Sequence, residues 1–256
     1  MTADLAQLLG LSQALLWQGF VVFLRVGGMM ALLPAFGERS VPVRVRLVLT
    51  LAFTAVTAPA APPAPAPDDA GLIALLFCET GTGLVLGIGL RLFILGLQTA
   101  GSIAAQATSL AQIFGGAATE PMPAMGHMLV ISALALSVMS GLHVRVAEML
   151  ILSYRLFPMG GLPAASALSQ WGVARVSAAF SLGFTLAAPF LIISVLYNLT
   201  LGVINRAMPQ LMVAFVGAPL ITAGGLFLLF LFIPIMLSHW NEALFTFIAN
   251  PFGQAP

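Results

Sequence analysis

Lysine is missing from this chain altogether: its nine basic residues are all arginine, set against eight acids for a net charge of +1. Only 7% of the residues are charged, where a soluble domain carries about a quarter, so there is too little ionic surface to solvate a compact globule in water. Without a basic stripe there is no footprint for a nucleic-acid backbone, and nucleic acid is excluded as a partner. The single cysteine, Cys78, rules out an internal disulfide framework and a cysteine-based metal knuckle. It reads as a small buried hydrophobe. No HExxH, GxSxG or phosphate-binding glycine loop occurs. The three histidines, His127, His143 and His239, lie far apart, and His239 with Glu242 has the spacing of a helix-end contact. Neither enzymatic activity, nor a metal, nor a cofactor is expected. No basic residue precedes Arg25, so the positive n-region of a secretory signal is missing and the first apolar stretch is expected to stay in the protein.

What the chain has instead is hydrocarbon. Hydrophobic residues make up 60% of it, in runs that reach the roughly twenty residues needed to cross a bilayer. Expected spans cover 15–33, 72–97, 128–142, 176–204 and 211–237. Two weaker stretches flank them. Residues 47–58 are short and run into "APAAPPAPAP", where proline removes the amide donor that would continue a helix. Residues 98–114, rich in alanine, serine and glutamine, read as a polar-faced helix packed on protein. The proline tract near 58–69 is the expected linker between an N-terminal pair of segments and the rest.

Charge placement resists simple threading. Arginines should gather on one membrane face, yet the single expected span 176–204 separates Arg175 from Arg206. Arg25 lies inside the first span, and Glu79 and Arg91 lie inside the next. Twelve residues put the last two about 18 Å apart along a helix, so they cannot pair with one another. Each needs a partner on another helix or another subunit. Around them, "ETGTGLVLGIGLR" spaces Gly83 and Gly87 four apart with Gly81 and Gly89 alongside, a pattern that permits close backbone approach between apolar helices. Met122, Met125 and Met128 follow Pro121 at intervals of three and are expected on one side of a helix, as packing or as a deformable gasket. Asn205-Arg206 and Pro209-Gln210 interrupt the longest apolar region, and Pro209 disfavours helix at Met208, so a helical hairpin is expected there.

In order along the chain, "RVGGMMALLPAFGERSVPVRVRLVL", "ETGTGLVLGIGLRLFILGLQTAGSIAAQ", the Glu120-Pro121 pair after a Gly/Ala loop, "SYRLFPMG" and "INRAMPQLMVAFVGAPL" resemble the FliR/SctT family of type III export-gate proteins. The resemblance implies an all-α fold of hydrophobic helical hairpins wound into a membrane-associated superhelical assembly. Residues 1–170 would form a FliP-like portion and 171–256 a FliQ-like hairpin. It further implies a single-copy component of the flagellar export gate at the basal body in the bacterial inner membrane. Implied partners are FliP-like and FliQ-like subunits, FlhB-like and FlhA-like export proteins, and unfolded export substrates. By the same resemblance the loop 110–121 is the pore plug, with Phe114, Gly115, Gly116, Glu120, Pro121, Met122, Met125 and Met128 as gate residues. Asn205, Arg206, Pro209 and Gln210 would touch neighbouring subunits or substrate. Arg25, Glu79 and Arg91 would meet partners within the complex. Alternatives are the injectisome counterpart SctT and a secondary transporter that uses Glu79 and Arg91 as a coupling site.

Overall fold

A computed structural model describes residues 2–65, 69–108, 124–208 and 213–253, all helix and connecting loop, with no strand among them. Seven helices follow in order: α1 (Thr2–Met30), α2 (Val43–Thr57), α3 (Asp69–Thr108), α4 (Ala124–Met139), α5 (Leu142–Leu156), α6 (Ala165–Ala207) and α7 (Val213–Ala249). Among the described residues, five helices are long and apolar enough to cross a membrane, or six if the broken α4–α5 pair counts as one.

The weak stretch at 47–58 is a full helix. α2 runs from Val43 and gives way to a 3-10 turn, Ala58–Ala60, where proline enters. The tract beyond it is fastened to α1: the Trp17 indole N–H donates to Pro65 O at 2.8 Å, and the Gln18 amide bonds Pro62 O at 2.9 Å and the Ala64 N–H at 2.6 Å. Stretches 72–97 and 98–114, read separately, join into one helix as far as Thr108, with Ala100, Ala104 and Ala107 buried. Alanine and serine keep the helical backbone running, so a change of composition need not be a change of element. The sequence reading missed α5, because Arg145, Glu148 and Arg155 dilute its apolar pattern. Gly141, in the left-handed conformation at φ 88, ends α4 and opens α5.

Two compact units interleave along the chain. The first combines residues 1–91, 138–175 and 244–256; the second combines 92–137 and 176–243. In the first, α2 returns beside α1, with Gly27 near the Thr50 methyl and Gln18 near Ala58 O. α3 then runs the same way as α1. Gly28 lies against Thr80 O, so close that an added Cβ would come within 2.6 Å, and Gly87 meets Met29 and Leu32 one turn further on. At Gly83 a Cβ would overlap the carbonyl of Arg25, whereas at Gly81 it would meet only a Leu162 methyl at 3.7 Å. The expected close approach is therefore real, and it is concentrated at Gly83. The C-terminal residues dock here too: the Trp171 indole donates to Pro251 O at 2.8 Å, and Phe252 sits 4.6 Å from Phe157 and 5.4 Å from Trp171, ring centre to ring centre.

Small residues also build the second unit. A Cβ on Gly96 would lie 2.8 Å from Ala179 O, and one on Gly183 would lie 2.9 Å from Gly96 O, so α3 and α6 touch backbone to backbone. Trp240 is fully buried and donates to Phe93 O at 2.9 Å.

The two glycines of one motif should respond oppositely. Gly83→Ala forces α1 and α3 apart and is expected to cost roughly 1–3 kcal/mol or more. Gly81→Ala should be neutral or slightly stabilising, since alanine favours helix by up to about 1 kcal/mol. Thermal unfolding of the detergent-extracted protein, with each variant at matched expression, checks the difference.

Candidate functional site

The deepest polar feature lies on the α1–α3 seam. With Gly83 against the Arg25 carbonyl, Glu79 sits one turn earlier on the same face of α3, in reach of the Arg25 side chain. Both residues are 0% exposed. The guanidinium grips the carboxylate with two parallel bonds, Nε to Oε2 at 2.8 Å and Nη2 to Oε1 at 2.9 Å. Nη1 donates to Ser153 Oγ at 3.2 Å on α5, and Nη2 also donates to Phe157 O at 3.0 Å. Opposite, the Gly160 N–H donates to Glu79 Oε1 at 3.1 Å. The Tyr154 ring covers the cation, its centroid 3.8 Å from the guanidinium carbon.

The turn after α5 exists in the form this node requires. Gly160 takes φ 77, which a side chain resists, and the Gly161 N–H closes the turn on Pro158 O at 3.0 Å. That aims the Gly160 amide at the carboxylate. Fork geometry suits arginine and not lysine. The node has no open coordination position, and no cluster of three potential metal ligands exists among the described residues. Its capability is mechanical: it fastens α1, α3, α5 and the 157–161 turn with one charge pair. Sequence reasoning singled out Arg25 and Glu79 but not Ser153, Tyr154, Phe157 or Gly160. The available signal was the segment "SYRLFPMG", which contains all four.

Arg91 has a different partner. Its guanidinium pairs with Glu38, presented by the curled 31–42 loop, where both side chains are part-exposed. Three expectations meet these observations. Glu79 and Arg91 indeed do not pair with each other. Of the two alternatives, another helix or another subunit, Glu79 takes the first by meeting Arg25 on α1, while Arg91 meets Glu38 on the loop that folds back after α1. With each charge already neutralised by its own partner, Glu79 and Arg91 form no common coupling site, and the transporter alternative loses its basis.

In the second unit the structure describes the stems of the glycine loop. Phe114, Gly115, Gly116, Glu120, Pro121 and Met122 lie outside the described residues. On the descending stem, the Ser194 hydroxyl donates to Ala107 O at 2.7 Å, and the Asn198 amide donates to Ser194 O, also at 2.7 Å. The first bond fastens the last turn of α3 to α6, and the second lies within α6. On the returning stem, the backbones of Gly101 and Gly126 touch so closely that a Cβ on Gly101 would overlap Gly126. Met125 and Met128 part company: Met125 is buried and Met128 is 55% exposed. Three residues turn a helix by about 300°, so the two lie about 60° apart on one side of α4, and the neighbouring packing covers only Met125. Asn205 and Arg206 are exposed in the last turn of α6, while Pro209 and Gln210 lie outside the described residues.

Residues 16–247 match the family described as bacterial export proteins, family 1. The chain is 32% identical over 227 residues to the flagellar biosynthetic protein FliR of Caulobacter vibrioides, covering 87% of this chain and 90% of the relative. It is 28% identical over 247 residues to FliR of Escherichia coli, covering 93% of each. Against FliR of Bacillus subtilis it is 26% identical over 243 residues, covering 91% of this chain and 89% of the relative. The chain belongs to this family: it is a FliR homologue, a non-enzymatic membrane protein of the flagellar type III export apparatus.

Removing one partner of the buried pair should hurt far more than removing both. Glu79→Ala strands the Arg25 cation and is expected to cost about 3–5 kcal/mol, whereas Arg25→Met with Glu79→Leu should lose much less. Protease resistance of the full chain in native membranes reads the ranking.

Proposed function

We propose that this FliR homologue forms part of the wall of the flagellar export gate, as a single copy among FliP-type and FliQ-type subunits. FlhB-type and FlhA-type proteins are its neighbours, and unfolded flagellar subunits pass through the channel. One observation carries the reading. Exposed apolar side chains run along α6 from Val173 to Ile204, about 46 Å at 1.5 Å per residue. The hydrocarbon core of a bilayer is about 30 Å thick. To hide that face in lipid alone the helix would tilt by about 50°, beyond the roughly 0–40° seen for membrane helices. Neighbouring subunits are the cover that remains.

In this reading residues 1–170 act as the FliP-like portion and 171–256 as the FliQ-like hairpin, and the loop 110–121 closes the resting channel. Support for the loop comes from its stems, which the Gly101–Gly126 contact and the Ser194–Ala107 bond hold. Purification in mild detergent, followed by mass identification of bound chains, tests the assembly. Recovery of a monodisperse, folded single chain with transport activity of its own would overturn it.

Two variants separate gate from scaffold. Arg206→Glu changes the field at an exposed helix end with little packing cost, so swimming motility should fall while pull-down of partner subunits stays intact. Deleting residues 115–118 should leave complex abundance unchanged and let cells leak ions; normal impermeability would make the loop a plain connection.

A further inference from the structure

α2 is built inside out. Its polar side chains, Thr50, Thr54 and Thr57, form the buried stripe. Two of their hydroxyls are satisfied within the helix: Thr50 donates to Arg46 O and Thr54 to Thr50 O, both at 2.8 Å. The outer surface is aliphatic, with Val43 77% and Val48 64% exposed and Leu47, Leu51 and Val56 about half exposed or more. Between Leu47 and Val56 no outward side chain carries a polar atom except at the buried stripe. A protein interface ordinarily contains about one hydrogen bond per 100–200 Å². Hydrocarbon offers none, so a helix facing lipid turns every hydroxyl away from it.

Charge marks one end of this face. Arg39, Arg44 and Arg46 precede or open α2, and Arg91 joins them through Glu38, the one acid in the group. Glu38 is taken by Arg91, and Arg46 donates to the backbone oxygens of Glu38 and Val41. Arg39 and Arg44 are exposed and pair with no carboxylate among the described residues. The apolar column that starts here, Val43–Ala60, is 18 residues long, close to one hydrocarbon thickness. The basic end therefore stands at headgroup depth when the aliphatic face is in acyl chains.

We infer that the outer face of α2 contacts bilayer lipid, and that Arg39 and Arg44 bind the phosphate of anionic phospholipid headgroups at its basic end. Two unpaired guanidiniums beside an aliphatic band match both halves of such a lipid. Long arginine side chains reach the interface while their stems stay in apolar surroundings. The inference rests on membrane residence and not on the gate reading, so either can fail without the other.

The test uses the full chain as extracted from its native membranes, reconstituted in phosphatidylcholine vesicles, with a Val43→Trp reporter and the signal of the parent protein subtracted. Brominated phosphatidylglycerol should quench the reporter better than brominated phosphatidylcholine. In the Arg39→Gln/Arg44→Gln background the preference should fall by roughly 25-fold, about fivefold for each arginine near an anionic surface. Inorganic phosphate at millimolar concentration should leave the quenching unchanged; competition by it would make the arginines a soluble-anion site. Equal quenching by the two lipids would remove the headgroup claim. No quenching by either, with a photo-crosslinker at Val48 labelling a neighbouring subunit, would show that protein covers the face and overturn the inference.

Discussion

An arginine and a glutamate taken wholly out of water constrain everything around them. Removing two ions from water costs several kcal/mol apiece, and their attraction offsets that only when geometry is good and the remaining donors and acceptors are satisfied. Arg25 and Glu79 meet the condition by recruiting Ser153, the Phe157 carbonyl, the Gly160 amide and the Tyr154 ring. Glu79 lies 54 positions from Arg25 along the chain, and Ser153 and Phe157 lie 128 and 132 positions from it. The pair can exist only when α1, α3, α5 and the turn are all in place, so it links the correctness of distant segments to one another. The glycine seam is its precondition, because a side chain at Gly83 would push the two ions' helices apart.

Beyond the node, the molecule reverses the arrangement of a soluble protein. Threonines of α2 face inward and aliphatic residues face outward, as do Phe227 and Phe230 on α7. Such a surface suits hydrocarbon or other apolar helices. α3 and α6, 40 and 43 residues long, exceed what one bilayer crossing requires, about 20 residues. Helices of this kind accord with a membrane protein of an export-apparatus family.

Much of the fold was legible beforehand because composition and periodicity report the solvent directly. Helical class, the apolar segments and the close packing at Gly83 all follow from local rules. The site was legible in part. Arg25, Glu79 and Arg91 stood out because charge inside an apolar run is costly, and the same rule left open whether their partners lay on another helix or another subunit. The partners were missed because half of the node is backbone: Phe157 contributes a carbonyl and Gly160 an amide, and every residue type except proline carries both groups. Of the methionine pattern only Met125, buried, and Met128, exposed, lie among the described residues, and which of two neighbours on a helix is covered depends on what packs against it, which local spacing does not report.

By itself, the sequence determined that this is a helical membrane protein whose charges inside apolar runs need partners, since hydrocarbon leaves no other way to accommodate them. Only the tertiary structure decided which charge meets which. Glu79 found Arg25 and Arg91 found Glu38 because α2 returns beside α1 and lets α3 run parallel to it. The turn after α5 then folds onto the same seam. Pairing across such distances depends on where helices cross, and crossing points are set by the small residues that permit contact together with the loops that steer the chain.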